Sequence, residues 1–227
     1  MAYCVRAGDA TQVRRIADLV LDEYVEKGAA EFIALVDTFP PSLLQSTSRL
    51  PSGGLHTNGT YGKDRSLYSE RLAFLGKYRD FHKLYSEDRL HEATAVLVST
   101  LIENQAPERF WAVLLLDAVP LLESELMLFE EDGVMELMRY FEQVNAGARA
   151  HPAEAEHYLG TMERLMSQGH AAASETAAGS KKTGPGRAGS KINVNLALKR
   201  LEVVRLGLAR CLSISFQLEN SRIFHDM

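Results

Sequence analysis

The sequence predicts an all-α fold, and three observations carry that expectation. Almost every segment repeats its apolar residues with a helical period. No stretch sustains the apolar–polar alternation of a half-buried strand. The periodic segments have ordinary helix lengths and are punctuated by prolines and glycines. Short turns between such helices favour stacked antiparallel pairs, either a bundle or an α-solenoid. The chain has 227 residues, 46% of them hydrophobic. One large domain or two small ones of that size bury roughly 70% of the unfolded surface without staples.

Asp9 is placed to cap a first helix whose apolar stripe is Val13, Ile16, Ala17, Val20 and Tyr24, and Gly28 closes it. A second helix runs from about Ala29 to Phe39, burying Phe32, Ile33, Leu35 and Val36. It must end at Pro40-Pro41, because the second proline denies its neighbour helical geometry. A short helix from Ser42 to Arg49 follows. Residues 51–64 hold four glycines and a proline, the composition of a surface loop.

The next helix spans Ser66 to Tyr85, with Leu72, Phe74, Leu75, Tyr78 and Phe81 on a broad apolar face. Ser86 or Asp88 is expected to cap a helix from Arg89 to Ile102. Pro107 opens another, which Pro120 kinks or ends. Trp111 on that helix is expected in a core shared with the helix from Ser66. Helices from Glu131 to Asn145 and from Pro152 to Gln168 follow. The body therefore covers 1–170. Residues 171–193, rich in Ala, Gly, Ser and Lys and carrying AGSK twice, read as a flexible low-complexity linker. A last helix over 194–220, with a tail at 221–227, carries more than one apolar stripe and is expected to pack back on the body.

The formal net charge is −5, which argues against a protein built to grip nucleic acid. Residues 171–227 nevertheless hold 9 basic and 4 acidic side chains, so a basic end adjoins an acidic body. Cys4 and Cys211 form neither a disulfide framework nor a zinc spacing. A reducing compartment is the plain reading. WAVLLLDAVPLL is too short for a membrane span of ~20 residues. The N-terminus lacks the pattern of a signal peptide.

The search for chemistry finds no foothold. Gly184 to Ser190 formally match a dinucleotide fingerprint, but no strand precedes them and the surroundings are low complexity. His151, Glu154 and His157 share a helical face without a further ligand. His91-Glu92 opens a zinc-protease motif that Ala95 breaks. His82 reads as a packing residue. No catalytic residue, cofactor or metal site is expected.

Several strings are more specific than their periodicity: AYCVRAGD, LDEYVEKG, LVDTFPPSLL, RLAFLGKYRDFHKLY, FWAVLLLDAVPLLE and ELMRYFEQ. Together they resemble the C-terminal tail region of the eighty-five-kilodalton nucleoporin family, Nup75-type in some lineages. These are coat-like helical scaffold nucleoporins of the Y-shaped nuclear pore complex. The likeness covers residues 2–145 well, weakens to 170 and returns around VVRLGLARCL. The start, CVRAGD, reads as the close of a preceding helix, as if cut from a longer array.

The resemblance implies an irregular α-solenoid of antiparallel helix pairs. The one long low-complexity loop before the last helix is read from composition, since residues 51–64 and 169–193 match no pattern of the family and look like insertions. The resemblance also implies a structural role in nucleocytoplasmic transport and mRNA export at the nuclear envelope. The implied partners are the helical tails of other scaffold nucleoporins at the hub of the Y, and a β-propeller nucleoporin. Neither nucleic acid nor membrane insertion is implied. A vesicle-coat or tethering subunit is the alternative, since both use similar helical stacks. The apolar residues expected to meet a partner are Leu159, Met162, Leu165 and Met166 on the helix from Pro152, with Val203, Leu206 and Phe216 on the last helix.

Overall fold

The first helix, α1 (Ala10–Lys27), begins where the Asp9 side chain accepts the Gln12 amide at 3.0 Å. That bond satisfies one of the donors a helix start leaves open. The computed structural model describes residues 9–44, 61–151, 155–174 and 194–225, and no strand occurs among them. The helices gather into two compact units that divide after Pro107.

In the first unit, α1 is followed by α2 (Ala29–Asp37), α3 (Pro41–Leu44), α4 (Tyr61–Ser86) and α5 (Leu90–Ile102). The other four all pack on α4. Gly28 ends α1 and starts α2 with φ 87° and ψ −174°. Only glycine adopts that region without strain. Gly28→Ala is therefore expected to cost ~1–3 kcal/mol in urea unfolding although nothing crowds the position. An unchanged midpoint would refute that account.

The core of this unit is aromatic. Tyr24, Phe32, Phe74, Tyr78 and Phe81 are all buried. Tyr24 meets Tyr78 edge-on at 5.1 Å, and Phe74 stacks on Tyr78 at 5.3 Å. His82 completes the cluster at 4.5 Å from Tyr78. Around this core, Asp37 of α2 accepts Lys83 Nζ of α4 at 2.7 Å.

The junction between α4 and α5 departs from expectation. Asp88 does not cap α5. It sits at φ 60°, with its amide on the Tyr85 carbonyl and the Arg89 amide on the Leu84 carbonyl. That bond pair is the left-handed stop of a helix, a place Asp tolerates better than most residues. Ser86 donates to the Lys83 carbonyl and is likewise no cap for α5, whose N-cap is Arg89 without a side-chain bond. Asn104, at φ 51°, ends α5 in the same way, with Gln105 bonded back to Thr100. The loop expected over 51–64 also gives way, because α4 already begins at Tyr61. One interior glycine, Gly62, costs a helix only ~1 kcal/mol. Residues 45–60, including the rest of that loop and the end of the short helix, lie outside the described residues.

The second unit holds α6 (Glu108–Asp117), α7 (Val119–Glu123), α8 (Glu131–Ala150), α9 (Ala155–Ser174) and α10 (Val194–His225). Pro120 separates α6 from α7 and occupies the first turn of α7, where its missing N–H costs nothing. Helix α6 is the central element. Its Phe110, Ala112, Val113, Leu114 and Leu115 are buried, and α7, α8, α9 and α10 all contact it.

Trp111 differs from expectation. It is only half-buried, and its indole meets Tyr140 of α8 edge-on at 5.2 Å within this unit. Its flank sits beside the apolar stripe of α6 rather than on it. Helix α8 also continues past Asn145, to Ala150, with His151 as its C-cap. Residues 171–174, assigned to the linker, continue α9. The remainder of that segment, the glycine fingerprint and the AGSK copies lie outside the described residues.

Candidate partner interface

Helix α10 buries Ala197, Leu201, Val204 and Leu208. These residues recur at three and four positions and so share one face. That face packs on α8, α7, α6 and α9. Two features hold the helix in place. Arg200 Nη1 meets Glu163 Oε2 of α9 at 2.7 Å. Further along, a Cβ at Gly207 would stand 2.9 Å from Leu122 Cβ of α7. Only a residue without a side chain permits that crossing. Beside it, Arg210 Nη1 donates to the Glu123 carbonyl at 3.3 Å.

Gly207 was not singled out by the sequence, nor was Gly76, whose Cβ would lie 3.0 Å from the Leu44 carbonyl oxygen. A lone glycine in a helical pattern is a signal for such close approaches. Gly207→Val is expected to push α10 off α7, lowering the urea midpoint. Overpacking of this kind typically costs ~1–3 kcal/mol. An unmoved midpoint would refute the crossing.

The candidate interface residues divide by position. Leu159 and Met162 are fully buried, on the helix that packs most closely against α6. Leu165 and Met166 are half-buried, one turn further on. Val203 is 42% and Leu206 65% exposed on α10. Leu196 is 46% exposed on the same side. The side chain of Phe216 lies outside the described ones. The structure therefore brings Val203 and Leu206 together on an open face, and gives Leu159 and Met162 to the interior of the unit.

No group of three His, Cys, Asp or Glu side chains suited to a metal occurs among the described residues. None of the described helices is long and apolar enough to cross a membrane. Cys211 is half-buried, and burial pushes its thiol pKa up, which disfavours a reactive thiolate. His82 Nε2 has no hydrogen-bond partner among the described residues. Burial pushes its pKa down to about 4, so the ring is neutral in the fold near pH 7.

Comparison with known proteins gives the same direction as the sequence strings. The family model of the Nup85 nucleoporins matches residues 1–143. The chain is 34% identical over 149 residues to the nuclear pore complex protein Nup85 of Danio rerio, covering 66% of this chain and 19% of that protein. To Nup85 of Homo sapiens it is 32% identical over 151 residues, covering 66% and 20%. To the nuclear pore complex protein Nup75 of Drosophila melanogaster it is 29% identical over 125 residues, covering 55% and 15%. The match thus spans about a fifth of the length of the vertebrate relatives. A family model covering well over half of the chain, on an all-helical fold, leads to one conclusion: the chain belongs to the Nup85 nucleoporin family.

Proposed function

We propose that this chain is a structural scaffold element of the nuclear pore, acting through protein–protein contacts and not through catalysis. Membership of the Nup85 family supports a place at the nuclear pore complex in the nuclear envelope. The observation that carries the contact reading is the α10 face bearing Val203 and Leu206. A helix that buries one stripe and leaves another apolar one open presents a surface suited to a partner.

On this reading the helix pairs belong to an irregular α-solenoid, whose terminal faces need cover. The low-complexity residues 175–193 would then be an insertion in the sequence between α9 and α10. The partners are the helical tails of other scaffold nucleoporins at the hub of the Y-shaped outer-ring complex, with a β-propeller nucleoporin beside them. The role is to support nucleocytoplasmic transport and mRNA export. A pull-down of the 227-residue chain against purified Y-complex members and against vesicle-coat subunits tests this. Capture of a Y-complex member is expected. Capture of coat subunits alone would overturn it.

A further inference from the structure

The open face of α10 carries charge as well as apolar surface. Leu196, Lys199, Val203, Leu206 and Arg210 follow one another at three and four positions. At 100° per residue they fall within an arc of about 80° on the helix. All five are exposed. The arc contains no acidic residue. Its two cations bracket the apolar pair: Lys199 stands one turn before Val203, and Arg210 one turn after Leu206. Glu202, the nearest acid in sequence, pairs with Arg205 to the side of the arc. Among the described residues Arg210 reaches only a main-chain carbonyl, at 3.3 Å, so that contact leaves its charge unneutralised by a carboxylate.

We propose that this stripe receives an acidic amphipathic helix of a partner protein. From Leu196 to Arg210 the stripe extends about 21 Å, roughly four turns, the length of an ordinary helix. Anchors at three- and four-residue spacing are read by helix-against-helix packing. Lys199 and Arg210 lie eleven positions apart, about 16 Å along the axis. The partner helix therefore carries two carboxylate clusters about that far apart, with apolar residues between them. A nucleic acid is disfavoured, because two cations offer few phosphate contacts and Leu206 would face a charged backbone. The proposal names the chemistry of the partner and takes its setting from the scaffold reading.

The test uses the 227-residue chain and two labelled helical peptides of about 18 residues, long enough to cover the stripe. One has leucines at helical spacing flanked by glutamates. Its twin has lysines in place of the glutamates. Fluorescence anisotropy is expected to show binding of the glutamate peptide. Lys199→Glu with Arg210→Glu should weaken it at least tenfold at low salt, with the loss shrinking toward ~0.5 M salt. The same double variant should gain affinity for the lysine twin. Leu206→Glu should weaken the glutamate peptide at every salt concentration, with circular dichroism unchanged. Binding of neither peptide, or of both alike, would overturn the proposal. So would loss through the charges alone with no effect of Leu206→Glu, which is the signature of a polyanion site. If the peptide results hold while no Y-complex member is captured, only the nuclear pore reading fails. If Y-complex members are captured equally by the wild type and by Leu206→Glu, only this docking face fails.

Discussion

Met162→Glu is expected to unfold the second unit, while Leu206→Glu leaves its stability nearly unchanged. Met162 is fully buried on α9, the helix that packs most closely on α6. An unpaired carboxylate there either loses several kcal/mol of hydration or takes up a proton and still lacks partners. The packing of the thioether is lost as well, and buried Met→Ala alone costs ~2–5 kcal/mol. Domains are stable by only ~5–15 kcal/mol, so the sum takes most of that margin. Leu206 is 65% exposed, and substitutions at such positions usually stay within ~0.5 kcal/mol. Urea titration followed by circular dichroism separates the two. Equal midpoints for both variants would contradict the division of the candidate face into an inner and an outer part.

A loss of stability between pH 6.5 and 4 is expected from His82. Burial among Tyr24, Tyr78 and Phe81 lowers its pKa from 6.5 to about 4. The folded state therefore disfavours the charged ring. Above pH 6.5 the ring is neutral in both states and its contribution is whole. As the pH falls from 6.5 towards 4, the unfolded chain takes up the proton first, and stability declines. The shift corresponds to about 3 kcal/mol in all, of which ~2 is gone by pH 5. His82→Phe keeps a ring in the cluster and removes the proton site. The difference in unfolding free energy between wild type and His82→Phe should therefore change by that ~2 kcal/mol between pH 7.5 and pH 5. Parallel pH profiles would show that His82 does not carry the effect.

Much of the helical plan is legible because its signals are local. Asp9 as a cap, Pro40-Pro41 and Pro120 as breaks, and the stripe of Val13, Ala17, Val20 and Tyr24 need only neighbours in sequence. The misreadings concern positions where a distant element decides. Met162 and Leu206 look alike on paper, each an apolar residue on an amphipathic helix, and only the placement of neighbouring helices makes one interior and the other open. Trp111 suggested core by size, yet it is only half-buried, with its ring edge-on to Tyr140. Asp88 and Asn104 stop helices with left-handed geometry that glycine more often supplies, so composition masked them. Gly76 and Gly207 carry no side chain to form a pattern. Their importance lies in what a Cβ at either position would meet at about 3 Å.

The crossing at Gly207 also bears on how α10 meets another molecule. A helix resting on a neighbour through side chains can roll about its axis as rotamers change. Here the Arg200–Glu163 pair fixes one station, and the backbone of Gly207 lies directly on Leu122 at the other. The two stations lie seven residues apart, about two turns. Together they act as a torsional lock that sets the azimuth of Leu206 and Val203. A ligand arriving at that side meets a surface already aimed, so little rotational entropy of α10 is lost on contact.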